Sequence, residues 1–432
     1  MKLTVFQSGK GDCLLVTGAG GERVLVDGGM AGAYSAHVAP TLGALRAQNV
    51  ALDLVYVSHI DQDHISGVLR MLDDAVAWRV HDHQVAPGNP HGNPAHKVPK
   101  APRPPEVKAI WNNAFHDQVD KNNADRIEDM LAASASVLSG TEDAQLMKTA
   151  LRHQGLANSI PEALQVSHRI APGQLGIPLN APFGNKLAMV RPNDPAQAVA
   201  VGGLKMRVLA PFEADLDKLR GEWNTWLNAN EDVVETIRRK AGDDEDLLGN
   251  EVVRLIARLT TEAKVLGNRA EVTAPNLASL MLLVEEGNKK VLLTGDGHSS
   301  DVVKGLKHHG KLNAQGKLHV DVLKVQHHGA AANIDEAFCK AVTADHYVFC
   351  GNGFEENPEL DVIKALVKAR RAAKPSKPFK LWFNSSSAVA TPQTNKDHMK
   401  KVETLVASLV ADAPANRVQS FFLTGSSFEL PV

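Results

Sequence analysis

The apolar positions of this chain gather in short runs, four to eight residues long, bounded by glycine, asparagine and aspartate. Runs of that length, β-branched or alternating, read as strands. Residues 3–6, 13–16 and 22–29 form the first three. The turn Gly9-Lys10-Gly11-Asp12 joins the first two, and the third ends in Asp27-Gly28-Gly29. Residues 40–48 have helical spacing. Leu54-Val55-Tyr56-Val57 is wholly apolar, as expected of a buried strand, and a helix is expected from Val68 onward.

The pattern then loosens. Residues 76–105 mix His81, Asp82, His83, His91 and His96 with proline, glycine and asparagine, and read as a long loop. A strand is expected at 107–111. Residues 118–200 read as helices (124–138, 143–153) and loops, with turn residues over 173–185. The spacing predicts a strand at 203–211 and helices at 216–228 and 232–261. The second helix contains the acidic run Asp243-Asp244-Glu245-Asp246, and Trp223 and Trp226 read as core. Further strands are expected at 276–284, 290–293, 320–325 and 342–350, then a closing hairpin from 420–424 and 427–430. No internal repeat interrupts this order. The helical matter over 118–270 reads as insertion into one catalytic domain spanning residues 1–432.

Composition narrows the class. Apolar residues make up 44% of 432 residues, enough for a sizeable core. The net charge of −2 advertises no global field for nucleic acid, although a local patch would suffice. Three cysteines, Cys13, Cys339 and Cys350, without CxxC spacing, argue against a disulfide framework. No apolar run is long enough to span a membrane and no leader-like segment opens the chain. The expectation is a cytoplasmic protein with no membrane association. The one basic cluster lies within 364–380 (Lys364, Lys368, Arg370, Arg371, Lys374, Lys377, Lys380) and is followed by Trp382 and Phe383. It reads either as a phosphate-backbone surface or as a solvated helix.

The strongest chemical signal is His59-x-Asp61-x-Asp63-His64, at the strand-to-helix turn after residue 57. Two imidazoles and two carboxylates that can converge on one point suit borderline divalent ions. One aspartate before a helix is ordinary capping, but four ligand-type residues at this spacing are not. The motif resembles the HxHxDH signature of the metallo-β-lactamase-fold hydrolases. With Asp61 in place of the second histidine, it is similar to the branch that includes the hydrolase domain of ComEC, the DNA-uptake channel protein. Other motifs follow in the family's order: the GxGD turn, the strand ending in Asp27-Gly28-Gly29, Asn276-x-x-Ser279, Leu292-Leu293-Thr294-Gly295-Asp296 and His327-His328-Gly329, where Ala330 replaces serine.

The resemblance implies an α/β (α+β) fold, the four-layer αββα sandwich with helical insertions. It implies that His59, Asp61, Asp63, His64, Asp296 and His328 hold one or two divalent ions, zinc or manganese, with Asp296 bridging two of them. Asp63, His327 and His328 are the expected catalytic residues. One of the two adjacent histidines would bind metal, and the other would contact substrate or donate a proton to the leaving group. Strand alternation suggests that the two differ in role. Asp27 would support the site through hydrogen bonds. His116, Asn276 and Ser279 are further candidates for support or substrate contact, and an ordinary structural histidine is an equal reading of His116. Asn357-Pro358 stands where the family often has His-Pro.

Three functions fit. The first is a phosphodiesterase or nuclease that uses a metal-activated water, with nucleic acid or another phosphodiester as substrate. The second is a hydrolase of a small ester, amide or thioester. The third is a non-catalytic metal-binding sensor or subunit with protein partners. β-Lactam hydrolysis does not follow from the fold, because function resides in the site.

Overall fold

The computed structural model describes residues 1–113, 162, 165–191, 193, 197–213, 278–374, 376–414 and 417–432. Their strands form two mixed sheets. The first has the order β14-β1-β2-β3-β4-β5, built from β1 (Lys2–Phe6), β2 (Leu14–Thr17), β3 (Arg23–Val26), β4 (Leu54–Tyr56), β5 (Ile110–Trp111) and β14 (Ser427–Pro431). The second runs β13-β12-β11-β10-β9-β8-β7-β6. Its members are β6 (Val199–Val201), β7 (Leu204–Ala210), β8 (Met281–Glu286), β9 (Lys289–Leu293), β10 (Leu318–Lys324), β11 (Val342–Phe349), β12 (Phe379–Phe383) and β13 (Val418–Phe422). Strands β9 to β13 are parallel, so their C-terminal ends share one edge.

Period-two alternation explains the layering. Leu3 and Val5, Leu14 and Val16, Val24 and Val26, Leu54 and Tyr56 all join one apolar core with Leu282, Val284, Val291, Val322 and Leu381 of the second sheet. The alternate residues Leu15, Leu25 and Val55 are also buried but lie outside that core. Both faces of these strands are therefore covered, which is why they read as continuous apolar runs. Helix α1 (Ala39–Ala47) and helix α2 (Gln62–Val85) accompany the first sheet. Gly28 and Gly67 let strand end and helix meet: a Cβ on Gly67 would lie 2.0 Å from the Gly28 carbonyl oxygen. On the second sheet lie α3 (Ser299–His308) against β7, α5 (Leu360–Ala373) against β11 and α6 (Gln393–Ala411) against β13, with the short α4 (Glu336–Ala341) between α3 and α5. Two mixed sheets packed on a shared apolar core, with helices outside them, make the α/β sandwich that was expected. No helix of the described residues is long and apolar enough to cross a membrane.

Three expectations change. First, the loop expected from residue 76 is helix until Val85. Its apolar stripe narrows, but side chains from a distant segment hold it. The Trp78 indole donates to the Ala101 carbonyl at 3.0 Å, Arg103 lies over the Trp78 ring, and its guanidinium pairs with Asp82. The helix stops just before Pro87, which disfavours helical geometry at residue 86. Second, β13 and β14 form no hairpin. β13 is parallel to β12 in the second sheet and β14 is antiparallel to β1 in the first. The short link of residues 423–426 carries the chain from one sheet to the other. Third, β8 begins at Met281 rather than at 276, with Ala278 to Leu280 leading into it.

Three members of the basic stretch are engaged within the fold. Arg370 is fully buried, and its guanidinium donates to the carbonyls of Ala344 (2.8 Å), Lys374 (3.1 Å) and Pro378 (3.2 Å) and to Asp345 (2.9 Å). Arg371 donates to the Leu409 carbonyl, and Lys364 pairs with Asp361 at 2.9 Å. The helices expected at 124–138, 143–153, 216–228 and 232–261 lie outside the described residues, as does most of the 118–270 insertion.

Candidate metal centre

The centre forms where β4 ends. Helix α2 starts at Gln62, so the motif residues straddle its first turn. Asp61 occupies the N-cap position, where an aspartate ordinarily accepts a backbone N–H. Here it makes no cap bond, and its Oδ1 is buried without a hydrogen-bond partner. Its carboxylate lies instead 3.5 Å from His59 Nε2. Gly11 closes the approach from the β1–β2 turn: a Cβ there would lie 1.7 Å from the Asp63 carbonyl oxygen. Only glycine fits, and its neighbour Asp12 is thereby brought under the centre.

Three of the four histidines are held at Nδ1 and turn Nε2 inward, and the fourth, His328, lies against Asp12 with both ring nitrogens buried and without a hydrogen-bond partner. His64 Nδ1 lies 2.9 Å from Asp27 Oδ2, and His59 Nδ1 lies 3.0 Å from Ser58 Oγ. Ser58 in turn donates its backbone N–H (2.7 Å) and its hydroxyl (2.8 Å) to Asp27. His328 Nδ1 is 3.2 Å from Asp12, and His327 Nδ1 is 2.6 Å from Asn333 Oδ1. The four Nε2 atoms converge on one oxygen. Asp296 Oδ2 lies 3.7 Å from His59, 3.4 Å from His64, 3.7 Å from His327 and 3.4 Å from His328. Asp63 completes the ring, 3.2 Å from His328 Nε2.

The adjacent histidines do differ, but not through strand alternation. Both have left β10 and adopt left-handed backbone (φ 43° and 56°). Such conformations cost about 1–3 kcal/mol each in non-glycine residues and gather at functional sites. His328 is buried inside the ring, whereas His327 lies at its edge with a side chain 26% exposed.

The electrostatics are those of a carboxylate cluster facing nitrogen donors. Burial pushes Asp12, Asp63 and Asp296 up, yet all three are held below the ordinary carboxylate range. Lys324, His64 and His328 do this for Asp12; His328, His64 and Lys10 for Asp63; His328, His64, His327 and His59 for Asp296. Burial pulls His64 and His328 down, but Asp296 and the surrounding carboxylates lift both well above the ordinary imidazole range. The Nε2 atoms of His59, His64 and His328 and the Oδ1 of Asp296 are buried without hydrogen-bond partners. Orphaned buried polar atoms are costly, and a divalent cation bound by nitrogen and carboxylate donors would satisfy them. The residues fit a metal.

Of the residues singled out in the sequence, His59, Asp61, Asp63, His64, Asp296, His327 and His328 come together here, with Asp27 directly behind them. Ser279 is buried beside Gly295, and its hydroxyl has no hydrogen-bond partner. His116 and Asn276 lie outside the described residues. Two participants were missed. Asp12 joins His64, Asp296 and His328 in one buried group with donor atoms within 4.8 Å of one another. Lys324, also buried, pairs with Asp12, donates to the Gly295 carbonyl at 3.0 Å and lies 3.6 Å from Asp296. The GxGD turn signalled Asp12. Nothing but its place before the two histidines signalled Lys324.

No curated protein matches this chain. A family comparison does: residues 8–131, which include Asp12, Asp27 and the whole His59–His64 motif, match the metallo-beta-lactamase superfamily. Over that segment the chain is similar to the metallo-beta-lactamase superfamily, and the Asp12, His64, Asp296 and His328 group forms a His/Asp centre suited to a divalent metal.

Proposed function

We propose that this protein is a metal-dependent phosphodiesterase, with zinc or manganese held by His59, Asp61, Asp63, His64, Asp296 and His328. The observation that carries this reading is the convergence of four imidazole nitrogens on Asp296 Oδ2. These residues would hold one or two divalent ions, which would supply the charge stabilisation that displacement at phosphorus needs. Asp61 in place of a histidine makes the donor set richer in oxygen, which favours harder ions and phosphate chemistry.

A divalent ion bound there would lower the pKa of a water molecule and stabilise charge on the attacked group. The protein's own part is orientation. Asp27 fixes His64 directly and His59 through Ser58, and Asp12 lies 3.2 Å from His328 Nδ1. Asp63, at the open side of the ring, would orient the attacking water. His327, held by Asn333 and partly exposed, would donate a proton to the departing oxygen.

The test is hydrolysis of bis(p-nitrophenyl) phosphate and of single- and double-stranded DNA, with Mn²⁺ or Zn²⁺ added, by wild type and Asp63→Ala. Activity in the wild type that falls at least a hundredfold in the variant supports the reading. A metal-loaded wild type that cleaves carboxylic esters and no phosphodiester overturns it.

A further inference from the structure

The β1–β2 turn delivers more than Asp12. Gly11 presses on the Asp63 carbonyl, so Lys10 stands at the rim of the centre, one residue from that contact. Across the rim, Gly351 lies against the His328 carbonyl, where a Cβ would sit 3.2 Å from the oxygen, and the chain runs on through Asn352 and Gly353 to Phe354. The two segments meet: Lys10 Nζ lies 4.6 Å from the centre of the Phe354 ring. Both side chains are half-buried.

Lys10 acts on Asp63 only through its field, without an ion pair. Lys324, the other lysine at the centre, is sealed in and committed to Asp12 and the Gly295 carbonyl. Among the described residues no carboxylate lies within ion-pair distance of Lys10. An ammonium resting on an aromatic face keeps its N–H donors available on the side away from the ring. The field beneath is crowded with carboxylates: Asp12, Asp27, Asp61, Asp63 and Asp296 lie in the centre or directly behind it. A divalent ion held there would offset that charge at the centre itself, and a fixed ammonium at the rim would extend the positive field to the outer oxygens of an anionic substrate.

We infer that Lys10, positioned by Phe354, is the anion-binding subsite of this centre and contacts a non-reacting oxygen of a singly charged ester. This deepens the phosphodiesterase reading and rests on it for the identity of the ester. Lys10 touches substrate. Phe354 acts through Lys10 by holding the ammonium over the rim.

Diphenyl phosphate separates the two ideas, because its binding can be measured without turnover. Titration calorimetry on metal-loaded wild type, Lys10→Ala, Lys10→Arg and Phe354→Leu is the first measurement, with metal content determined for each. Loss of one charge-assisted contact is expected to weaken binding about tenfold in Lys10→Ala. Lys10→Arg should restore most of it, and Phe354→Leu should fall between, all at wild-type metal content. Hydrolysis of bis(p-nitrophenyl) phosphate should show the same loss in KM, with kcat falling far less. Diphenyl phosphate binding that is equal in wild type and Lys10→Ala overturns the subsite. Binding that depends on Lys10 in a protein that cleaves no phosphodiester keeps the subsite and removes the phosphodiesterase reading.

Discussion

Strand β11 joins two regions that look alike in sequence and differ in kind. Beyond its C-terminal end, Gly351 backs onto His328 and the His/Asp centre. At its N-terminal half, Ala344 and Asp345 meet the buried guanidinium of Arg370. Both regions gather buried charge. Around Arg370 every guanidinium nitrogen is answered: three carbonyls and one carboxylate accept from it, and Asp345 also faces His319 Nε2 at 3.1 Å. Around Asp296, nitrogens and oxygens point inward at one another with their hydrogen-bonding capacity unused. A satisfied charge is part of the scaffold. A set of unsatisfied ones, held in place by partners behind them, is a site.

That contrast can be broken by three substitutions. The largest effect is expected at Asp296→Ala, which removes the oxygen on which four imidazoles converge. Hydrolysis should fall by about a thousandfold or more, and elemental analysis should show loss of bound metal. Retained metal with full activity would mean that the convergence is structural. Arg370→Ala comes next. Stripping a buried cation from its partners costs about 3–5 kcal/mol, so urea unfolding should shift by that amount while the folded fraction binds metal as before. A variant of normal stability with impaired metal binding would reverse the assignment of the two regions. The smallest effect belongs to Asp27→Asn, which leaves every inward-facing atom in place but weakens the anchor behind His64. Metal affinity, measured against a competing chelator, should drop by about 10–100-fold. No change would show that His64 needs no anchor.

Much of the architecture was legible because strand alternation and turn glycines are local signals. The runs that became β1 to β4 and β7 to β11 were visible as such, and the His59–His64 turn stood out because four ligand-type residues have no common structural reason to be so close. What was hidden depends on distant partners. Asp12 looks like any turn aspartate until His328 and Lys324 are seen against it. Lys324 looks like the solvent-facing member of an alternating strand, yet it points at two buried carboxylates. Arg370 looks like one more charge on an exposed helix face. The four residues between β13 and β14 would fit a tight hairpin, and only the pairing with β12 and β1 shows otherwise. The second half of α2 rests on Trp78 and Asp82 finding residues 101–103. In each case the deciding contact is long-range, and composition or periodicity within a window cannot report it.

The inward-facing atoms come from both sheets: His59, Asp61, Asp63 and His64 follow the first, and Asp296, His327 and His328 follow the second. An ion seated among them is therefore also a rivet between two leaves that are otherwise joined mainly by non-directional apolar contact. Binding free energy at the centre adds to the cohesion of the sandwich. Removing the ion should loosen the edge where β4, β9 and β10 end before it loosens the far side, and amide exchange would register that order. The chemistry and the seam of the molecule share one fastening.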